Sequence, residues 1–496
     1  MIGEKSIARK SALIVLMQLT NAFLGYVALK FIAVYMQPWE YGIIGFAYGF
    51  ISIFSIFGDL GFNSAHIKRI SEGKDIEKCI STFALTKIFL SFSMVFLVFL
   101  TIELWKINGR GFESDLHEKA LYIILCSFIL SVLAQIFTVT FNAKKEIAKN
   151  QIPNFASTLS RCIATIFVAY YGLGVMLLSY TYLIGSIFEF LTAISLFNYK
   201  FGKWSREYFK YYYSFAIPVA IGSASSLIIM NFDRVAIQIF YGAEEVGQYF
   251  AVSNLSRFLV LFISAVTSLL FPITSELYSK NNLEEMKRVT KISERYLSMI
   301  VFPIVVTMIA LSQAVIHILI SDQYMPAIMV LQIFPIFLIL EALSMPYSTM
   351  LSGMNMPKYE RNRLAIIAFL NVLLNIILLP RIGLAGGAVA IVFSYLAGLI
   401  YIRFIAFRVA KTGGSYRIAL HAISSLISYF LLTYVLRFFT VARWYHLLAF
   451  SFLGFIIYFF VLFILREFKK EDFVFFADAL NPMKMIGYVK DEIKNK

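Results

Sequence analysis

Fourteen stretches of roughly 20 mostly apolar residues run through this chain, each long enough to cross a hydrocarbon core of ~30 Å as a helix. They fall near 11–36, 42–64, 79–101, 120–141, 153–171, 173–197, 211–240, 247–273, 296–319, 326–351, 363–380, 384–407, 417–437 and 445–465. A backbone surrounded by lipid must satisfy its hydrogen bonds within itself. The pattern therefore predicts an all-α polytopic membrane protein of about 14 transmembrane helices. With 60% hydrophobic and 15% charged residues among 496, little is left for a soluble domain.

The charges between the spans alternate. Every second gap is basic, from Lys5, Arg9 and Lys10 before the first span to Arg403, Arg408, Lys411 and Arg417 before the thirteenth. The intervening gaps hold only Lys106, Arg110, Lys119, Arg381, Arg437 and Arg443. Basic loops stay in the cytoplasm, so both termini are expected there, in a cell membrane. The net charge of +15 is parcelled among short loops rather than gathered in a patch, which argues against a nucleic-acid partner.

Self-similarity comes next. Glu40-Tyr41-Gly42 opens the second span and Glu245-Val246-Gly247 the eighth; Tyr171-Gly172-Leu173 is echoed by Ile382-Gly383-Leu384, and Tyr182-Leu183 by Tyr395-Leu396. The offsets are close to one another and correspond to six helices. An even number makes the copies parallel, related by a pseudo-twofold axis along the membrane normal. The expected organisation is a six-helix lobe over 1–200, a second over 201–411, two additional helices over 412–466 and a cytoplasmic tail over 467–496.

The segments 38–73, 242–277 and 356–390 resemble the polysaccharide-transport branch, the Wzx-type flippases, of the multidrug/oligosaccharidyl-lipid/polysaccharide exporter superfamily. The resemblance covers nearly the whole chain. It implies alternating access and the movement of isoprenoid diphosphate-linked oligosaccharides from the cytoplasmic to the outer leaflet, for cell-surface glycan assembly. It supplies no catalytic residues, so the site must be read from chemistry.

Ionisable groups within spans are expensive and face protein or a wet cavity. Ser253, Arg257, Ser264 and Ser268 are spaced for one face of the eighth span, Asn154, Ser157, Arg161 and Thr165 for one face of the fifth, and Asn231, Arg234 and Gln238 for one face of the seventh. Three arginines on polar faces suggest a cationic lumen for a diphosphate, because guanidinium can donate two parallel hydrogen bonds to phosphate oxygens. Arg257 is the best-placed candidate, then Arg161; Arg234 is weaker, since Asp233 could neutralise it. Lys30 and Lys87 are secondary. The competing reading of each is an interhelical ion pair or a snorkelling side chain.

Ser52, Ser55, Asp59, Asn63 and His66 run down the second span, and Glu341, Ser344 and Ser348 down the tenth. Asp59, Glu341 and Glu189 are candidates for coupling to a proton or sodium ion, with structural ion pairing as the alternative. No cofactor or metal site is expected: there is no GxxxxGK[ST] or Gly-x-Ser-x-Gly sequence, and the five histidines are scattered. A flippase is expected rather than an enzyme. The other readings are a cation-coupled multidrug exporter of the same superfamily, and a membrane glycosyltransferase or polymerase, for which the outer loops are short.

Overall fold

The computed structural model describes residues 2–107 and 112–468, and among these it contains helices and no strands. The amino-terminal half comprises α1 (Ile2–Tyr35), α2 (Pro38–Phe54), a short 3-10 turn over Ser55–Gly58, α3 (Phe62–Ser71), α4 (Ile76–Ile107), α5 (Asp115–Ala143), α6 (Ile147–Tyr170) and α7 (Gly174–Ser195). Then follow α8 (Arg206–Phe240), α9 (Ala243–Phe258), α10 (Val260–Ser279), α11 (Leu283–Ala310), α12 (Ser312–Leu319), α13 (Ile328–Ile333), α14 (Ile336–Gly353), α15 (Lys358–Ile382) and α16 (Leu384–Ala410). The chain closes with α17 (Ile418–Val435) and α18 (Trp444–Ile464).

Among the described residues, thirteen segments are long and apolar enough to cross a membrane. The eighth expected span, 247–273, is instead two helices, α9 and α10, interrupted at Leu259. Leu259 keeps helical dihedrals (φ −69°, ψ −14°), and its N–H reaches back three residues to Ser256. No Pro or Gly marks the break, so the sequence hides it. The second span is broken as well: Leu60 (φ 45°) and Gly61 (φ 80°) turn the chain between the 3-10 segment and α3. The polar stripe from Ser52 to His66 is therefore divided between two helices. His66 is buried between Tyr212 Oη (2.6 Å) and Thr140 Oγ1 (2.9 Å).

Local chemistry sets the helix starts. Pro38 occupies the first turn of α2, where a missing N–H costs nothing, and Glu40 reaches back to the Gln37 N–H at 2.9 Å. Ser205 and Asn282 cap α8 and α11 by accepting from the N–H groups of Tyr208 and Glu285. Apolar side chains cover the outside: Phe89, Phe92 and Phe96 form an exposed stripe on α4, the face a lipid-embedded helix presents.

Successive spans run antiparallel, which collects the basic gaps at one end of the bundle (the basic end) and the charge-poor gaps at the other. At the charge-poor end α2 crosses α9 through two glycines: a Cβ on Gly42 would collide with the Ala243 carbonyl, and one on Gly247 with the Pro38 carbonyl. Glu113 accepts from the Ala243 N–H (3.0 Å) and from Gln238 (3.0 Å) beside this crossing. Gln323 donates to the Ala33 carbonyl there (3.3 Å). At the basic end α3 packs on α8, with Gly61 against the Ala216 backbone and Arg69 donating to the Tyr211 carbonyl at 2.8 Å.

The interior near the basic end of α11, α14, α15 and α16 is filled by ion pairs. Fully buried Arg363 binds Glu341 (2.8 Å) and Glu360 (2.8 Å), and Glu294 pairs with Arg403 while accepting from Tyr347 Oη at 2.7 Å. Glu467, the first residue of the expected tail, is buried against Arg295 (2.5 Å) and Arg417 (3.0 Å). The tail from 469 onward lies outside the described residues.

Candidate functional site: a paired central cavity

Two cavities meet in the middle of the bundle. The larger, about 920 Å³, is bounded mainly by apolar side chains of α1, α2, α8, α9, α11 and α18, with Arg161, Arg234, Asn231 and Asn254 among the polar groups. The smaller, about 660 Å³, lies toward the basic end between α2, α5, α6, α7 and α8, and is lined by Asp59, Asn63, Asn154, Gln135, Glu189 and a set of serines. Tyr48, Thr158, Arg161, Tyr182 and Leu227 line both. Arg161 thus stands at their junction.

Glycines let the two cavity arginines in. A Cβ on Gly49 of α2 would lie 3.3 Å from Arg234 Cβ, and one on Gly185 of α7 would lie 3.2 Å from Arg161 Cβ. The Arg234 guanidinium lies 3.9 Å from the Phe250 ring centroid and donates to Asn231 Oδ1 at 3.3 Å, while its Nε has no hydrogen-bond partner among the described residues. The Arg161 guanidinium lies 5.1 Å from the Tyr182 ring centroid. Among the described residues, no carboxylate forms an ion pair with either arginine. Aromatic faces attract a cation without neutralising it, so both keep a charge to offer.

Arg257 is placed differently from the sequence expectation. Its guanidinium donates to Asp233 Oδ2 (3.1 Å) and to the Met230 carbonyl (2.5 Å), and it does not line either cavity. The break at Leu259 divides the expected polar stripe between α9 and α10, and spacing on one helix could not give what packs against it. Asp233, which could have neutralised its neighbour Arg234, accepts from the Arg234 backbone N–H (3.0 Å) and forms its salt bridge with Arg257 instead. Adjacent residues on a helix point about 100° apart, which separates the two side chains.

The two lysines are also engaged. Lys30 donates to the carbonyls of Ile318 (2.9 Å) and Ile320 (2.8 Å), where the end of α12 leaves acceptors unsatisfied. Lys87 is fully buried and binds Asp59 Oδ1 (2.9 Å), Gln135 Oε1 (2.8 Å) and the Gly58 carbonyl (3.2 Å). Asp59 in turn accepts from the N–H groups of Gly61 (3.2 Å) and Asn63 (3.0 Å), fixing the turn before α3. Glu341 is held by Arg363. Of the three acids, Glu189 alone forms no salt bridge among the described residues; its Oε2 accepts from Ser131 at 2.9 Å, and it lines the polar cavity near enough to Arg161 to feel that charge. Arg363, at the start of the expected span 363–380, is a buried anchor that its position near a span end gave no sign of.

A partly polar cavity within a bundle of helices long and apolar enough to cross a membrane is the arrangement expected of a multi-pass membrane transporter. Comparison with known proteins makes the assignment narrower. The chain belongs to the polysaccharide biosynthesis protein family, whose model matches residues 31–329, in the polysaccharide-transport branch of the multidrug/oligosaccharidyl-lipid/polysaccharide exporter superfamily. It is similar to the probable low-salt glycan biosynthesis flippase Agl15 of Haloferax volcanii, at 23% identity over 389 residues, covering 78% of this chain and 81% of the relative. Its fold is similar to that of the lipid II flippase MurJ in an inward closed conformation (TM-score 0.76, 19% identity, 95% of this chain and 100% of that one). It also resembles an inward-facing multidrug resistance MATE family transporter (TM-score 0.62, 16% identity, 82% and 99%).

Proposed function

We propose that this protein is a flippase for lipid-linked oligosaccharides, moving an isoprenoid diphosphate-saccharide from the cytoplasmic to the outer leaflet by alternating access. The observation that carries this reading is the pair Arg161 and Arg234: two guanidiniums at one cavity, backed by aromatic rings and free of ion pairs among the described residues. A diphosphate taken out of water needs fixed donors, and two unneutralised arginines supply charge-assisted ones. The apolar remainder of the larger cavity suits the first units of the isoprenoid. Agl15, a relative named as a glycan biosynthesis flippase, supports the same class of cargo.

The residues on which a multidrug exporter of organic cations would depend are acids, and here two of the three candidate acids already hold cations: Asp59 holds Lys87 and Glu341 holds Arg363. Cationic drugs would also meet Arg161 and Arg234. Glu189 is the remaining candidate for coupling to a proton or sodium ion. In this reading the lobes 1–200 and 201–411 rock about the helix-breaking positions, the pair over 412–466 travels with the second lobe through the Glu467 anchor, and the basic end faces the cytoplasm.

The test is reconstitution. Purified protein in liposomes should move a labelled polyisoprenyl diphosphate-oligosaccharide between leaflets, and excess organic cations such as tetraphenylphosphonium should not compete. Transport of the cation with no movement of the lipid would reverse the choice.

A further inference from the structure

Residues 196–205 join α7 to α8 at the basic end, and their backbone is held against the amino-terminal half. The Gly202 N–H donates to the Glu77 carbonyl (3.1 Å), the Ser205 N–H to Thr82 Oγ1 (3.3 Å) and Tyr199 Oη to Glu146 Oε1 (2.8 Å). A Cβ on Gly202 would lie 2.9 Å from the Glu77 carbonyl carbon, so the connection is pressed onto α4. Its outward face combines two features. Phe201 and Trp204 are 55% and 50% exposed, and Lys200, Lys203, Arg206 and Lys210 are exposed around them. None of these four cations forms an ion pair among the described residues, while the acids Glu72, Asp75 and Glu146 are paired with Arg69, Lys78 and Lys149. Within 196–213 the single acid is Glu207, which accepts from Tyr211 Oη at 2.7 Å, and Glu77 adds one more exposed carboxylate. Cations remain in excess.

Aromatic side chains exposed at the ends of membrane spans settle at the boundary between headgroups and acyl chains. Lys and Arg beside them meet the phosphates of anionic lipids, to which ammonium and guanidinium donate charge-assisted hydrogen bonds. α7 ends at Ser195 and α8 starts at Arg206, so the connection lies at the depth where its two helices leave the membrane. We propose that residues 200–210 form a docking site for anionic phospholipid headgroups of the leaflet at the basic end, with Phe201 and Trp204 set against the acyl chains. The site is separate from both central cavities, whose walls include none of these residues, and it does not depend on the identity of the cargo. Basic loops orient a membrane protein as it inserts; cations held in place beside two rings do more, because they select which lipid stays next to them. From here α8 runs on to Asn231 and Arg234 in the cavity wall, so the lipid bound at this surface bears on a helix that carries the central site.

The experiment uses full-length protein in nanodiscs of mixed phosphatidylglycerol and phosphatidylcholine, with bromine on the acyl chains of one lipid or of the other. Trp39→Phe, Trp105→Phe and Trp444→Phe leave Trp204 as the single tryptophan, and bromine quenches its fluorescence only from lipid in contact. The ratio of quenching should show phosphatidylglycerol enriched beside Trp204 at least about fivefold over the bulk mixture, the effect of one cation at an anionic surface. Adding Lys200→Gln and Lys203→Gln should bring the ratio to within about twofold of bulk, and high salt should do the same by screening. A protein keeping Trp39, at the charge-poor end, should report the bulk ratio. No quenching of Trp204, quenching in proportion to bulk, enrichment that survives the lysine changes, or equal enrichment at Trp39 would each overturn the site. A second measurement keeps all four tryptophans: mass spectrometry of the intact protein, released from detergent holding equal amounts of the two lipids, should retain phosphatidylglycerol preferentially and lose that preference in the Lys200→Gln, Lys203→Gln variant. Equal retention of both lipids by the unaltered protein contradicts the proposal.

Discussion

Gly42 and Gly247 stand 205 residues apart in the chain and pack reciprocally in space, each against the backbone of the helix that carries the other. The repeat seen in the sequence is thus the crossing that closes the charge-poor end. The interruption at Leu259 falls 204 residues after Ser55, where α2 gives way to the 3-10 turn. Any side chain at either glycine must push α2 and α9 apart. Gly42→Val is expected to cost about 1–3 kcal/mol through overpacking and to open this end, which thiol labelling near Glu113 in the folded protein would register as increased access. Unchanged labelling and an unchanged midpoint of thermal unfolding would show the crossing to be slack.

Arg257 and Asp233 form a partly buried pair, and removing one partner strands the other. Asp233→Asn or Arg257→Ala alone should lower stability by about 3–5 kcal/mol. The double variant should be destabilised by less than the sum of the two, since neither charge is then left alone. Thermal unfolding in detergent reads this directly; additive losses would contradict the pairing.

The sequence made much of this legible. The charge alternation, the glycine repeat and the polar face carrying Arg161 were all readable from spacing. The ranking of the arginines was not, because a stripe fixes the face of one helix and is silent about the neighbour packed against it. Arg257 meets Asp233 from another helix, while Arg234, which its sequence neighbour could have neutralised, lies over Phe250 and donates to Asn231. The same silence hid the burial of Arg363 against Glu341 on α14, whereas its other partner, Glu360, lies three residues before it on α15.

The three membrane acids divide by partner. Asp59 and Glu341 hold buried cations, so Asp59→Asn and Glu341→Gln should lower thermal stability and leave the pH dependence of transport in place. Glu189→Gln should flatten that dependence with little effect on unfolding. Loss of pH dependence in Asp59→Asn with normal stability would move the coupling role to the Lys87 pair.

Orientation rests on the distribution of lysine and arginine between loops. With Cys79, Cys126 and Cys162 replaced, a single cysteine at Ser279 should react with an impermeant reagent only after the cell is opened, and one at Arg381 in intact cells. The converse pattern would invert the direction of transport proposed here.

The most direct measurement is the rate at which proteoliposomes containing Arg161→Ala, Arg234→Ala and Arg257→Ala move a labelled polyisoprenyl diphosphate-oligosaccharide. Each cavity arginine contributes charge-assisted hydrogen bonds of about 1.5–3 kcal/mol. Arg161→Ala and Arg234→Ala should therefore cut transport by roughly 10- to 100-fold with near-normal unfolding temperatures. The corresponding lysine variants should recover part of it, keeping charge without the planar fork. Arg257→Ala should show its loss in stability first. Wild-type transport by both Arg161→Ala and Arg234→Ala, in stably folded protein, would contradict the cationic site on which the account depends.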